Sequence, residues 1–351
     1  MLRQLLFLAL CGLSFHSFAQ DLITANPLWL PSSHNPALAG STVNKNNVGF
    51  RYASQQGGME YISIGGSLGM YRKSKMRNGF GIGALFQQVH IPIKDGDKEI
   101  TNLNMQTFSV PLSMTYRDRD KTFSFGISVG ALVYSFGESP GLYYSQLDPD
   151  SDFIGGTPSY SLSKRQEGSI DIGGGISFYT HENLFLSFSA KHLQSVMGTN
   201  GDQVSLFQDL KPRFELMGRY IFFNPMNYTG IETTFGYFNQ GENNELYLSA
   251  EARVSVIKVG GGWIPSLNNF SNSSTVFITS SVKIPFGEKA NYSKIGRINK
   301  ESDHIELRVS YYPEISSTAF LQPSVEFTLS TGFSNDKYKK QMKRLSTLPV
   351  L

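Results

Sequence analysis

The feature that most constrains this chain is a period-two alternation of apolar and small polar residues that recurs along most of its length. The clearest stretch has Phe108, Val110, Leu112, Met114 and Tyr116 alternating with Ser109, Pro111, Ser113 and Thr115. Directly after it, Phe123, Phe125, Ile127, Val129, Ala131 and Val133 alternate with Ser124, Gly126, Ser128 and Gly130. The polar run Arg117 to Lys121 joins the two. Successive side chains of a strand point to opposite faces, so this is a β-hairpin with one apolar and one small polar face.

The pattern repeats. Ile62, Ile64, Leu68 and Met70 alternate with Ser63, Gly65, Ser67 and Gly69, and Phe80, Ile82, Ala84 and Phe86 with Gly79, Gly81, Gly83 and Leu85. Ile170, Ile172, Ile176 and Phe178 face away from Ser169, Asp171, Gly173 and Ser177, as Ile305, Leu307, Val309 and Tyr311 do from Glu306, Arg308 and Ser310. Further segments lie near 47–54, 184–192, 213–222, 229–238, 245–253, 254–263, 275–284 and 323–333. That makes about fourteen, each close to the roughly ten residues that cross a membrane as a tilted strand. The expected fold is all-β: a transmembrane antiparallel up-and-down β-barrel of about 14 strands with an N-terminal periplasmic segment.

A soluble β-sandwich also alternates, but the connections here favour the barrel. With a periplasmic N-terminus, the short connections near 71–78, 117–121, 180–183 and 223–228 share the periplasmic side, and the longer ones near 91–102, 137–168 and 193–210 face out. The long segment 285–303 breaks this rule. The lumen face reads as Gly, Ser and Thr with few charges, which selects no solute. Tyr52, Tyr61, Tyr71, Tyr116, Tyr134, Tyr179, Tyr220 and Trp263 lie near strand ends, as interfacial girdles would place them. The triplets Gly173–Gly175 and Gly260–Gly262 lie within strand patterns, where glycine marks a bulge or sharp coil rather than a phosphate cradle.

At the N-terminus, Arg3, the apolar stretch Leu5 to Leu13 and the small residues Ser17 and Ala19 form a secretion signal, 1–19, cleaved between Ala19 and Gln20. Cys11, the only cysteine, lies within it, so the mature chain has no disulfide or thiolate site. Charge is balanced: 31 Lys+Arg against 28 Asp+Glu, or 30 against 28 without Arg3, which gives no argument for nucleic acid. Charged residues at 17% and glycine at 34 residues suit a sheet facing an apolar medium better than a soluble helical enzyme.

No catalytic constellation assembles. His34, His90, His181, His192 and His304 show no H-E-x-x-H spacing, and the G-x-S-x-G matches at Gly65–Gly69 and Gly126–Gly130 lie within strand patterns, where no elbow marks a serine nucleophile. Asp148, Asp150 and Asp152 resemble the start of a calcium loop, but Phe153 and Ser159 stand where the glycine and the bidentate glutamate belong. No cofactor, metal or catalytic residue is expected. The tail 334–351 holds Lys337, Lys339, Lys340, Lys343 and Arg344 against Asp336 alone; it reads as a solvated end, or as a periplasmic contact for an acidic partner surface.

Between signal and barrel, 20–46 is polar, turn-rich and poor in strand pattern, a lead-in or a plug for the lumen. It contains Asn35-Pro36-Ala37-Leu38-Ala39-Gly40, in which Asn-Pro starts a turn and Gly40 can take positive φ before the chain extends into 47–333. A signal, this hexapeptide and a barrel of this length resemble the PorP/SprF family of type IX secretion membrane proteins. The resemblance carries over Asn35, Pro36, Ala37, Ala39 and Gly40 as a structural motif. It implies a non-enzymatic barrel of the bacterial outer membrane, in contact with its lipid. It also implies partners: other type IX secretion components, and a secreted surface protein or gliding adhesin with a C-terminal sorting domain. The other function class is an outer-membrane transporter or channel for a hydrophobic or small solute.

Overall fold

The computed structural model describes residues 25, 27–40, 46–54, 58–71, 78–95, 98–118, 121–136, 165–180, 184–193, 211–224, 229–241, 243–265, 274–285, 304–313 and 325–333. Each alternating segment forms a strand: β1 (Asn46–Ser54), β2 (Glu60–Tyr71), β3 (Asn78–Asp95), β4 (Lys98–Asp118), β5 (Lys121–Phe136), β6 (Arg165–Thr180) and β7 (Leu184–Lys191). Then follow β8 (Arg213–Asn224), β9 (Thr229–Gln240), β10 (Asn243–Val254), β11 (Ile257–Pro265), β12 (Ser274–Pro285), β13 (His304–Tyr311) and β14 (Val325–Phe333). Every strand pairs antiparallel with its sequence neighbours, and β1 closes on β14 from Asn46↔Phe333 to Ser54↔Val325.

Closure leaves no strand edge, the condition for a sheet to sit in lipid where no water can satisfy an unpaired amide. One parity of each strand turns outward and stays exposed, as at Leu68, Met114, Phe125, Ile176 and Val309; the other turns inward, as at Ser67, Ser113, Ser124, Ser177 and Ser310. Because the strand number is even, β1 begins and β14 ends at the same end of the barrel, here the terminus end; the opposite end is the loop end.

Four expectations need correction. Residues 91–102 are not a loop, because β3 runs to Asp95 and β4 starts at Lys98, with Ile91↔Leu103 and Pro92↔Asn102 in register. The alternation changes phase there. Outward positions turn polar, with His90 Nδ1 and Asn104 Oδ1 2.6 Å apart, while Val89 and Leu103 point inward and are buried. Such an inversion is expected where a sheet rises out of lipid, and it disguises the strand. Connection length does not divide the two ends either, since 96–97 and 241–242 are short and lie at the loop end. The glycine triplets cause no bulge, since pairing is continuous through Gly173–Gly175 and Gly260–Gly262. Finally, Tyr61 and Tyr134 point inward and are buried, and Tyr179 packs on Phe185 inside the barrel, so only part of the tyrosine set, such as Tyr116 and Tyr220, faces out with Trp263.

Candidate functional site

The interior is occupied by the chain itself. From Gly40 back to Ala25 the N-terminal segment runs inside the barrel, and Leu30, Ala37, Leu38 and Ala39 are fully buried. It folds as a single short helix, α1 (Pro31–His34), followed by one 3₁₀ turn over Pro36–Leu38. Pro31 suits the first turn of α1, where an N–H would be unpaired in any case. Asn35 separates the two in extended conformation and caps the 3₁₀ turn, its Oδ1 accepting from the Ala37 N–H at 2.9 Å.

The same side chain reaches into the wall. Asn35 Nδ2 donates to the backbone oxygens of Ile176, at 2.9 Å, and Phe188, at 3.0 Å, across the β6–β7 pair. Ser189 donates its hydroxyl to the His34 oxygen at 2.8 Å, Ser113 to the Ala39 oxygen at 2.5 Å, and the Gly40 N–H donates to Ser67 Oγ at 3.0 Å. These wall hydroxyls hold the backbone of the segment, and they belong to the small polar face read from the sequence.

Bare glycines make that approach physically available. A Cβ on Gly126 would overlap the backbone of Pro36 and Ala37, one on Gly81 the Ala39 carbonyl, and one on Gly175 the Asn35 amide. Further round, Gly65 gives room to Leu30 and Gly49 to the Trp29 ring. Close approach of a second backbone is the other reason for glycine within a strand, and here it replaces the expected bulge. Gly40 itself has φ +57° and lies against the Leu68 oxygen, so a side chain there would be both strained and obstructed.

The opposite wall is charged and aromatic, well beyond the few charges that the sequence reading gave the lumen. Glu215 Oε1 sits 2.9 Å from Lys191 Nζ and 2.8 Å from Arg213 Nε, and its Oε2 is 3.1 Å from His34 Nδ1. Burial holds the His34 imidazole well below the usual histidine range, at about 4, against the opposing pull of Glu215. Arg51 pairs with Glu326 at 3.1 Å and lies over the Trp29 ring at 4.7 Å. Towards the terminus end, Arg308 grips Glu251 with both terminal nitrogens and reaches Glu306 at 3.2 Å, while Lys258 and Arg219 hold Glu232 at 3.0 and 3.5 Å. Those three cations and three carboxylates balance, around a cavity of about 80 Å³ that Leu28 and Trp29 also bound. Phe185 and Met217, with Phe238, Tyr247, Ile264, Phe277 and Tyr312 towards the loop end, form one apolar cluster with Ala25 and Leu38.

Of the residues singled out from the sequence, Asn35, Pro36, Ala37, Ala39 and Gly40 lie together against β2–β7. Ala19 and Gln20, the basic residues Lys337, Lys339, Lys340, Lys343 and Arg344, and the acidic run 148–152 fall outside the described residues. Among the described residues, His34, His90 and His192 are separately engaged, His192 with Asp171 at 3.1 Å, and no three His, Cys, Asp or Glu side chains converge as metal ligands would. Missed from sequence were Trp29, His34 and the buried ion pairs. The strongest available signal was Glu306 and Arg308 on the inward parity of β13.

The family model for type IX secretion system membrane protein PorP/SprF matches residues 19–333, which is nearly the whole chain. The chain belongs to this family. Among curated proteins none matches. Among solved structures, the CymD monoaromatic hydrocarbon channel is 12% identical over 90% of this chain and 94% of its own, with a TM-score of 0.50. A FadL homologue of Pseudomonas aeruginosa is 10% identical over 87% and 93%, with a TM-score of 0.49. At such identity the likeness to CymD speaks to the membrane-barrel fold alone. This PorP/SprF chain therefore joins a secretion-system family to a barrel whose interior carries its own N-terminal segment.

Proposed function

We propose that this PorP/SprF protein is a non-enzymatic outer-membrane barrel of the type IX secretion and gliding machinery. It anchors or helps to export a surface protein through its outer loops and periplasmic contacts. The observation that carries this reading is the segment 25–40, fixed on both walls of the lumen. A barrel filled by its own chain works through its rims rather than as an open pore. The peripheral candidates are the outer connections read from the sequence as 137–168 and 193–210, bounded by the strands at 137–164 and 192–212, and the basic residues of the tail. Signal cleavage between Ala19 and Gln20 belongs to the same reading, since the barrel must be exported to reach that membrane.

The second reading is a channel for a hydrophobic or small solute, and the aromatic inner cluster favours it. That cluster is, however, packed on Leu28 and Leu38 of the chain's own segment, so solute passage would first require the segment to leave. The discriminating experiment is affinity isolation of the detergent-extracted protein, with and without prior cross-linking, and mass spectrometry of what accompanies it. Recovery of a large surface protein or of secretion-machine subunits is expected. Recovery of the barrel alone in both conditions would sink the anchoring reading and direct attention to liposome uptake.

A further inference from the structure

The charged side chains around the inner cavity are not equally engaged. Arg308 holds Glu251 with both terminal nitrogens and Glu306 with one, and Lys258 holds Glu232 at 3.0 Å while also attracting Glu306. Arg219, at the edge of this row, reaches Glu232 only at 3.5 Å and otherwise lies 5.8 Å from the centre of the Phe185 ring. Its side chain is 28% exposed, against 5% for Arg308 and 9% for Glu251, so water reaches the row at Arg219. The row lies towards the terminus end: Glu232, Lys258 and Glu306 are the fourth, second and third residues of β9, β11 and β13, all of which begin there. Two N–H groups of residues that line the cavity, Trp29 Nε1 and Arg308 Nε, are buried without an acceptor. Buried donors in folded proteins are almost always paired, so what this cavity lacks is ligand oxygen. Its volume of about 80 Å³ is far below the roughly 300 Å³ at which pockets for drug-sized ligands begin. It admits a carboxylate group and not a whole solute.

We propose that this cavity takes a carboxylate of an acidic peptide that approaches from the terminus end, with Arg219 as its principal cation. Charge complementarity carries the choice. Counted from its buried end, the row alternates as Glu251, Arg308, Glu306, Lys258, Glu232 and Arg219, and it ends on a cation with one long ionic contact. A carboxylate placed there continues the alternation, whereas an ammonium group would meet like charge. The planar fork of a guanidinium also suits the two oxygens of a carboxylate. Pro27, Leu28 and Trp29 of the internal segment close the other side of the cavity, so the site is whole only while the segment is seated. A ligand that binds only the seated form stabilises it. The acidic partner therefore locks the segment in the lumen rather than expelling it. This deepens the proposed function and rests on it only for the terminus end facing the periplasm, where a partner of the secretion machinery supplies the peptide.

The test uses the purified full-length protein in detergent and follows proteolysis of the internal segment, with heat-modifiable migration confirming a folded barrel. The probes are short glycine peptides blocked at the amino end: one with a central glutamate and an amidated end, one with a free carboxyl end, and one neutral. A carboxylate peptide at about ten times its dissociation constant is expected to slow cutting about tenfold. The protection should saturate and should be absent with the neutral peptide and with equimolar sodium chloride. Which of the two carboxylate peptides protects tells a side-chain carboxylate from a chain-terminal one. Arg219→Gln, compared with its own unliganded rate, should lose the protection, and Arg219→Lys, which keeps the charge but not the fork, should weaken it. Equal protection by chloride, protection that survives Arg219→Gln, or no protection by either carboxylate peptide overturns the proposal. The purified protein carries no cargo, so such a failure leaves the affinity isolation, and with it the anchoring reading, to be decided separately.

Discussion

The two walls of the lumen hold one segment by opposite means. From β2 to β7 the wall is stripped to glycine and serine, so that backbone lies on backbone and the wall hydroxyls bind main-chain atoms. From β8 to β14 the wall is built out with Glu215, Arg308, Glu251 and a cluster of aromatic rings, whose side chains meet side chains of the segment and, at Ala25, its backbone. The difference lies in what each contact can tolerate. A bare-backbone seat is steric and fails on addition of one methyl group. A side-chain lattice can repack, but it punishes the loss of a single charge, because its partners stay buried.

That contrast predicts a double dissociation. Arg308→Met leaves Glu251 and Glu306 buried without their main cation and is expected to cost about 3–5 kcal/mol, the range for breaking one side of a buried pair. The loss falls on the barrel, so heat-modifiable migration and urea midpoint should drop while the segment stays seated. Gly126→Val puts a branched side chain into the backbone of Pro36 and Ala37 and should disfavour the seated state by at least about 3 kcal/mol, the upper part of the overpacking range. Here the barrel should hold, since valine suits a strand, and limited proteolysis should cut the released segment. If Arg308→Met frees the segment, or Gly126→Val melts the barrel first, the two walls do not work as separate devices.

How much of this was legible follows the same division. The outward face is read by lipid alone, a uniform medium that demands only apolarity, so its period of two survives in the sequence and all fourteen strands could be found from it. The inward face is read by a specific peptide, and its demands are local: glycine where Pro36 passes, glutamate where His34 lands. Those residues look like ordinary lumen positions until the segment is in place. Asn35 to Gly40 could be recognised as a motif because its turn chemistry is local, whereas Glu215 and Arg308 acquire meaning only from partners far away in sequence. The phase inversion at Phe86 to Val89 was legible in principle, but a rule that seeks one unbroken alternation reads it as a loop.

A smaller effect sharpens the glycine wall. Asn35→Asp keeps the cap on the Ala37 N–H but replaces two donors by a carboxylate oxygen facing the carbonyls of Ile176 and Phe188. A buried hydrogen bond turned into acceptor against acceptor should cost about 2 kcal/mol, and Asn35→Ala less, because it leaves no repelling group. Protease protection of the segment should therefore fall in the order wild type, Asn35→Ala, Asn35→Asp. The reverse order would mean that Asn35 serves the local turn and not the seam between β6 and β7.

The last effect tests the charged wall and depends on pH. His34 is neutral in place because burial holds its pKa near 4, with Glu215 pulling upward and Lys191 and Arg51 pushing down; Arg213 also lies on Glu215. Released into water, the same imidazole titrates at its ordinary value of 6.5. Between those values the released segment binds a proton that the seated one refuses, so acid favours release. Above about pH 6.5 the His34 contribution is fully present, and it is lost progressively as pH falls towards 4. Proteolysis of the segment should accelerate across that window in the wild type and stay flat in His34→Gln, which cannot titrate. Equal acceleration in both would assign the acid response to the wall carboxylates, and His34 would then be a packing residue whose charge state the lumen ignores.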